Sequence, residues 1–399
     1  MDRPRGGELP GRGFAGLVAL LALGCTDPAG NKDDTAGDGT PGSALPLPED
    51  CSALPSGDGV RLGPEDTATL RETLGTAPSG SVFLLDDGTY TLTGGDAAHN
   101  LAIAPGVTVR SASGNAAAVV LEGGYATTEL VTLGDYALLA EVTVAHAFGN
   151  AVSIRGASGA RVYGVDIVEP GDIGVAVLPE RGVYSDDAVI GCVRVQHVDR
   201  CAVSIEGVQT SGTRVYGADV DSPTCDKPGI RFGTGSRDTV VERSRVTTVA
   251  LAGIALGDLD YAEGNERVYP DAACPDRALV GHYGGVIRNV FVSGGGIRVE
   301  DACGGLVAHA SVWGGDLTIA FSEGVEAAGN LASVADSSAS TLSGNLTPSV
   351  ADFVDPAAGD LHLADGSAAL DAGTARADVT DDLDGDPRGD PPDIGADER

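Results

Sequence analysis

The sequence predicts an all-β chain wound as a parallel β-helix, and three observations carry that prediction. A short apolar strand of the form Gly/Ala-Val/Ile-x-Val/Ile returns every 21 to 28 residues through the middle of the 399-residue chain. Its central residues are Val152, Val175, Val203, Ile230, Ile254 and Ile297, successively 23, 28, 27, 24 and 43 positions apart; the last step is one repeat carrying an insertion. A second strand follows each first strand after a polar turn. Composition agrees: glycine numbers 59 and aromatic residues make up only 4%, which fits many tight turns around a core of Val, Ile, Leu and Ala. A period of this length built from strands and turns, with no helical pattern, is the mark of a solenoid.

The second strand recurs as Val162-Tyr163-Gly164-Val165-Asp166-Ile167, Ile190-Gly191-Cys192-Val193-Arg194-Val195 and Val215-Tyr216-Gly217-Ala218-Asp219-Val220. It continues as Val241–Val246, Ile287–Val292 and Val307–Val312, with an earlier copy at Leu139–Val144 beside Val131-Thr132-Leu133. First and last positions are apolar, and the fourth is small or apolar. The third is often Gly, Asn, His or Arg, residues expected at a tight bend or in the αL conformation. Positions one and four then point inward on either side of a corner. The result is a coil of three short faces, with coils stacked about 4.8 Å apart.

Element by element, the chain opens with a targeting segment over 1–24. Arg3, Arg5 and Arg12 precede the apolar run Phe14–Leu23, too short to span a bilayer comfortably. Residues 25–55 are poor in apolar side chains and read as a flexible acidic tether rich in Gly and Pro. The solenoid is expected over 56–345. Thr69–Leu74 suggests one amphipathic helix capping its open end, where a bare β edge would otherwise be exposed. Val82–Leu85, Asp86–Tyr90 and Leu101–Ser111 follow as the first strands and turns. Residues 346–399 form a small C-terminal module.

Net charge is −33, and Lys32 and Lys227 are the only lysines. That balance argues against nucleic acid and against unassisted binding to anionic membranes or polysaccharides, and it leaves divalent cations such as Ca²⁺ as partners. Setting Cys25 aside, six cysteines remain, an even number that favours disulfides in an exported chain. Cys201 and Cys225 precede first strands of neighbouring coils. Cys274 lies in the insertion and Cys303 in the next coil. Cys192 sits at a bend and suits either a disulfide or a free buried thiol. No zinc-ligand spacing occurs.

Three segments resemble known families. Leu21-Ala22-Leu23-Gly24-Cys25 resembles a bacterial lipobox, with the branched and small residues exchanged; the resemblance implies lipidation of Cys25. Thr26 rather than Asp after the cysteine implies the outer membrane, with the membrane touched only through that lipid. The segments Gly88-Thr89-Tyr90 and Gly106–Ser111 resemble the opening coils of right-handed β-helices of the pectate-lyase-like superfamily. Handedness follows from this resemblance alone. The C-terminal Phe353-Val354-Asp355-Pro356, Asp360–Leu363, Gly366–Gly373, Asp382–Arg388 and Asp393–Glu398 resemble the choice-of-anchor Q module of bacterial surface β-helix proteins.

Lyases of the superfamily abstract a proton beside a uronate carboxylate with Lys or Arg, often with Ca²⁺ held by acids. Here the resemblance points to Lys227 and Arg231 near Asp219. The acids flanking Lys227 would hold its proton more tightly, the wrong direction for a base. Ser185-Asp186-Asp187 and Gly281-His282-Tyr283 superficially resemble polygalacturonase motifs at unsuitable spacing. Asp166, Arg194, Asp219 and Arg245 occupy the outward fifth position of successive second strands, and alternating charge there reads first as a register-holding ladder.

The insertion Gly257–His282 is the expected source of specificity, because long loops on a rigid solenoid build binding walls. Its Tyr261, Glu266, Arg267 and Tyr269 are candidate ligand contacts. Asp382, Asp384 and Asp386 resemble half a calcium loop, without the distal Glu of an EF-hand. The expected function is a monomeric, lipid-anchored, non-catalytic binding or scaffold protein, adhesin-like or engaging a polysaccharide or another cell-envelope component. The alternative is a uronan lyase, hydrolase or epimerase.

Overall fold

Apolar residues at every second position oblige each strand to turn one face inward, and stacking of coils is what buries it. In the computed structural model the described residues are 45–93, 99–197, 202–223, 225–258, 267, 269, 274, 280–338 and 340–399. Twenty-nine strands belong to one continuous sheet, and all of its strand pairings are parallel. The chain is a right-handed parallel β-helix of three faces. No helix among the described residues is long and apolar enough to cross a membrane.

Face A stacks Glu129–Leu133, Asn150–Arg155, Ile173–Leu178, Val203–Val208, Ile230–Gly233, Ala252–Asp258 and Gly296–Glu300. Its inward row runs Val131, Val152, Val175, Ile205, Ile230, Ile254, Ile297 and Leu317, every one fully buried. Burial of each such side chain is worth about 1.5–3 kcal/mol. The expected alignment placed Val203 opposite Val175; the structure pairs Val175 with Ile205 instead. Ile205 rather than Val203 therefore supplies the core side chain of this coil, and Val203 packs outside the main core with Ile173 and Ala176.

Face B stacks Leu138–Ala140, Arg161–Tyr163, Val189–Gly191 and Arg214–Tyr216, and face C stacks Thr143–Ala145, Asp166–Val168, Arg194–Gln196 and Asp219–Ser222. Between B and C lies the bend that the repeat's third position implies. Glu141, Gly164, Cys192, Gly217, Arg243, Asn289, His309 and Gly329 occupy it in order, with φ between 45° and 64°. Helix α1, Thr67–Gly75, closes the first coil by burying Leu70 and Leu74.

The tether expected over 25–55 is packed structure from residue 45 onward. Leu45, Leu47 and Leu54 lie with Tyr163 and Tyr216, outward side chains of face B that are nonetheless fully buried. The Tyr163 hydroxyl donates to Ser52 O at 2.6 Å, and Cys51 is disulfide-bonded to Cys192. This strap is held by the solenoid's outer surface, which periodicity does not describe.

The C-terminal module covers the later coils of the same flank. Its strands Phe353–Asp355 and Asp360–Leu363 pair antiparallel. Phe353, Leu361, Leu363, Leu383 and Ile394 pack on Phe291 and Leu331 of the solenoid. Phe291 continues the outward row of Asp166, Arg194, Asp219 and Arg245, so the charge ladder turns apolar where the module docks.

Candidate functional site

The bend row shows how the strap from residue 45 and the C-terminal module are fixed. Glu141 accepts from Leu54 N at 2.6 Å and faces Arg110, whose guanidinium donates to the carbonyls of Pro55 and Leu54. Arg243 pairs with Glu49 of the strap and Asp381 of the module. Asn289 donates to Asp381 O at 2.9 Å and accepts from Arg388. Gly395 N, in turn, donates to Gly329 O. Faces B and C are thus covered in part by the strap from residue 45 and by the C-terminal module. Among the described hydrogen bonds and ion pairs, the terminal segments bond to faces B and C and to the last coil, where Ala332 N, on the strand Leu331–Asp336 that runs on to stack on face A, donates to Leu346 O.

Face A carries an outward row of Thr132, Ser153, Ala176, Glu206, Arg231, Ala255, Arg298 and Thr318. Small side chains alternate with ion pairs: Arg155 with Glu129, Arg231 with Glu206, and Arg298 with Glu300. Arg231 donates Nε to Glu206 Oε1 at 3.0 Å, and the two side chains are only 12% and 4% exposed. Strands alone would leave this row in solvent, so its burial is a tertiary effect.

The residues grouped for lyase chemistry are not brought together. Asp219 belongs to face C and sits 3.5 Å from Arg194 Nε, while Arg194 Nη1 lies 3.9 Å from Asp166. The ladder is real, and it draws Asp219 away from the site. Lys227 is exposed on the turn before Ile230. Arg231 is ion-paired to Glu206.

Beside face A, the insertion returns to the coils through two described anchors. Arg267 donates Nη2 to Asp186 Oδ2 at 2.9 Å, and its guanidinium stacks on Tyr184 at 4.3 Å and Tyr269 at 5.0 Å. Tyr269 meets the Tyr283 ring edge-on at 5.1 Å, and burial raises its hydroxyl to about 12. Cys274 is bonded to Cys303. Cys225 is disulfide-bonded as well. Tyr261, Glu266, Cys201 and Cys25 lie outside the described residues.

Asp186 and His282 prove to share one short stack, through Ser211 and Ser236–Arg237. No hydrolytic cluster results. Asp186 is taken by Arg267, and His282 is fully buried, with Nδ1 3.0 Å from Gly284 O and Nε2 3.0 Å from Thr239 Oγ1. Burial lowers His282 to about 4.

The half calcium loop is closed on itself. Asp382 is buried and accepts from the amides of Asp384 and Asp386 on one oxygen and of Glu398 on the other. Asp384 turns to Arg245 and His362. A cavity of about 480 Å³ between strap and module is lined by Glu49, Asp219, Arg243, Arg245 and Asp384, a mixture of charges that largely satisfy each other.

Sequence reasoning missed the Arg267–Asp186 clamp, which joins residues 81 positions apart. The docking surfaces left a usable signal: outward aromatic residues at Tyr163, Tyr216 and Phe291.

No family model and no curated protein matches the chain. Among solved structures, the crystal structure of pectate lyase Pel9A is similar with a TM-score of 0.55 and 16% identity, covering 88% of this chain and 100% of that one. An alginate lyase from Paenibacillus sp. str. FPU-7 is similar at 18% identity and a TM-score of 0.43, covering 71% of this chain and 97% of that one. The A-module of the Azotobacter vinelandii mannuronan C-5 epimerase AlgE4 gives 13% identity and a TM-score of 0.34, over 74% and 94%. Pel9A shows the shared pectate-lyase-like β-helix fold; the other two likenesses carry no argument.

Proposed function

We propose that this chain is an exported β-helix protein that engages a polysaccharide along face A and the adjoining insertion. One observation carries the reading: the described contacts of strap and module go mainly to faces B and C, while the outward row of face A holds arginine–glutamate pairs beside the clamped insertion. An extended polymer suits a long face of repeated coils, and the clamped insertion beside it supplies aromatic side chains. The net charge of −33 favours a neutral glycan, or a uronan bridged by Ca²⁺. The lipobox-like Leu21–Cys25 supports a lipid anchor in the outer membrane, and the C-terminal motif supports kinship with choice-of-anchor Q modules.

Catalysis on the same polymer is the second reading, as a lyase, hydrolase or epimerase. It is favoured by the fold shared with pectate lyase Pel9A. Within the described residues the ion pair of Arg231 with Glu206 supports binding without turnover. Glycan-array and calorimetric binding, with and without Ca²⁺, tests the first reading. Deletion of 258–281 is expected to abolish binding while the β-rich circular dichroism persists. Incubation with pectate and alginate, followed by the ultraviolet absorbance of unsaturated uronate, tests the second. Turnover lost in Arg231→Ala or Lys227→Ala establishes an enzyme; binding that survives deletion of the insertion places the ligand elsewhere.

A further inference from the structure

Three separate segments of the C-terminal module bring one imidazole and two carboxylates together. His362 comes from the strand Asp360–Leu363, Asp384 from the closed acidic loop and Asp397 from the penultimate turn. One ligand atom from each lies within 4.8 Å of the other two. His362 Nε2 is 2.9 Å from Asp384 Oδ2. Asp397 is 5% exposed. Its Oδ2 accepts from Leu363 N at 2.7 Å, and its other oxygen has no donor among the described residues.

A further contact orients the imidazole. Asp360 Oδ1 lies 2.5 Å from His362 Nδ1, on the far side of the ring from Asp384. The imidazole bridges two carboxylates, Nδ1 to Asp360 and Nε2 to Asp384; an incoming metal ion displaces the Nε2 proton while Asp360 keeps the proton on Nδ1. Metal-ligating histidines are oriented in this way. The ring is further fixed by the edge of Phe291, with centroids 5.0 Å apart.

We propose that His362 Nε2, Asp384 and Asp397 bind a divalent transition-metal ion, with Asp360 orienting the imidazole. Donors about 2.1 Å from a common ion lie about 3 to 3.5 Å apart, so the 2.9 Å His362–Asp384 separation already suits adjacent ligands. Asp397 closes the set by a small side-chain rotation. One nitrogen and two carboxylates match Zn²⁺ and leave a position for water. They do not match Ca²⁺, which takes six to eight oxygens. Asp382 contributes nothing, because three backbone amides use its oxygens. The ion fastens the acidic loop and the terminal turn to the module's hairpin, beside the Arg245–Asp384 contact with the solenoid.

Isothermal titration of the whole protein with Zn²⁺, and separately with Ca²⁺, tests the site. The expected result is saturable one-to-one uptake of Zn²⁺ that tenfold Ca²⁺ does not displace. Asp384→Asn and His362→Ala are expected to weaken it at least tenfold, Asp360→Asn by about 10 to 100-fold, and Asp386→Asn not at all. Asp384 is exposed, so its variant keeps the test valid if His362→Ala fails to fold, as read by circular dichroism. Absence of saturable Zn²⁺ uptake, uptake unchanged in Asp384→Asn, or preference for Ca²⁺ lost in Asp386→Asn would each overturn the proposal.

Discussion

Replacing Arg110 by alanine is the sharpest probe of how the strap is held. Arg110 Nη2 lies 2.7 Å from Glu141 Oε2, and the two side chains are 6% and 5% exposed. At an effective dielectric constant of about 20, attraction at that separation is about 6 kcal/mol. Desolvation of two ions costs several kcal/mol each, so the intact pair contributes little net stability. Removing only the arginine changes that balance. Glu141 would keep the Leu54 amide and lose its counter-charge, while the carbonyls of Leu54 and Pro55 would lose their donors. The expected loss is about 3–5 kcal/mol at neutral pH. Arg110→Met combined with Glu141→Leu removes both charges and is expected to recover most of it. Equilibrium urea unfolding gives the totals, and hydrogen exchange at Leu54 reports the strap itself. A loss below about 1 kcal/mol in the single variant, or a double variant as unstable as the sum of the singles, refutes the reasoning.

Ile230→Asp, at a fully buried position, is expected to cost several kcal/mol in thermal or urea unfolding unless the carboxyl protonates. Arg231→Ala, expected from an outward position to cost under about 1 kcal/mol, is now expected to cost more, because its Glu206 partner is buried. His282 is neutral in the fold and titrates near 4 there against about 6.5 when unfolded. Its contribution is complete above pH 6.5 and is lost as pH falls toward 4, by about 3 kcal/mol in all. His282→Gln is expected to flatten that part of the stability–pH curve; an unchanged slope refutes it. Cys51→Ser together with Cys192→Ser is expected to lower stability by roughly 2–5 kcal/mol and to speed proteolysis near residue 45; unchanged cleavage shows the strap held by its other contacts alone.

The sequence by itself determined the solenoid, the sidedness of its strands and the bend between faces B and C. Those features repeat, and each repeat meets its neighbour in one register, so local pattern and tertiary contact agree. The αL bend was readable because Glu141, Cys192, Arg243, Asn289 and His309 alternate with glycines at one position. The ladder of Asp166, Arg194 and Asp219 was readable for the same reason. The coil at Val203 escaped that reading: Ile205 fills its core position, and Val203 packs with Ile173 and Ala176 outside the main core. Only the tertiary structure decided what the bend's side chains do. Whether Cys192 stays a thiol or meets Cys51 depends on a segment 141 residues away. Whether Asp384 faces a calcium loop or His362 depends on a hairpin folding back over Phe291. Such pairings occur once, between non-repeating segments, and depend on complementary surfaces that exist only after the coils have stacked.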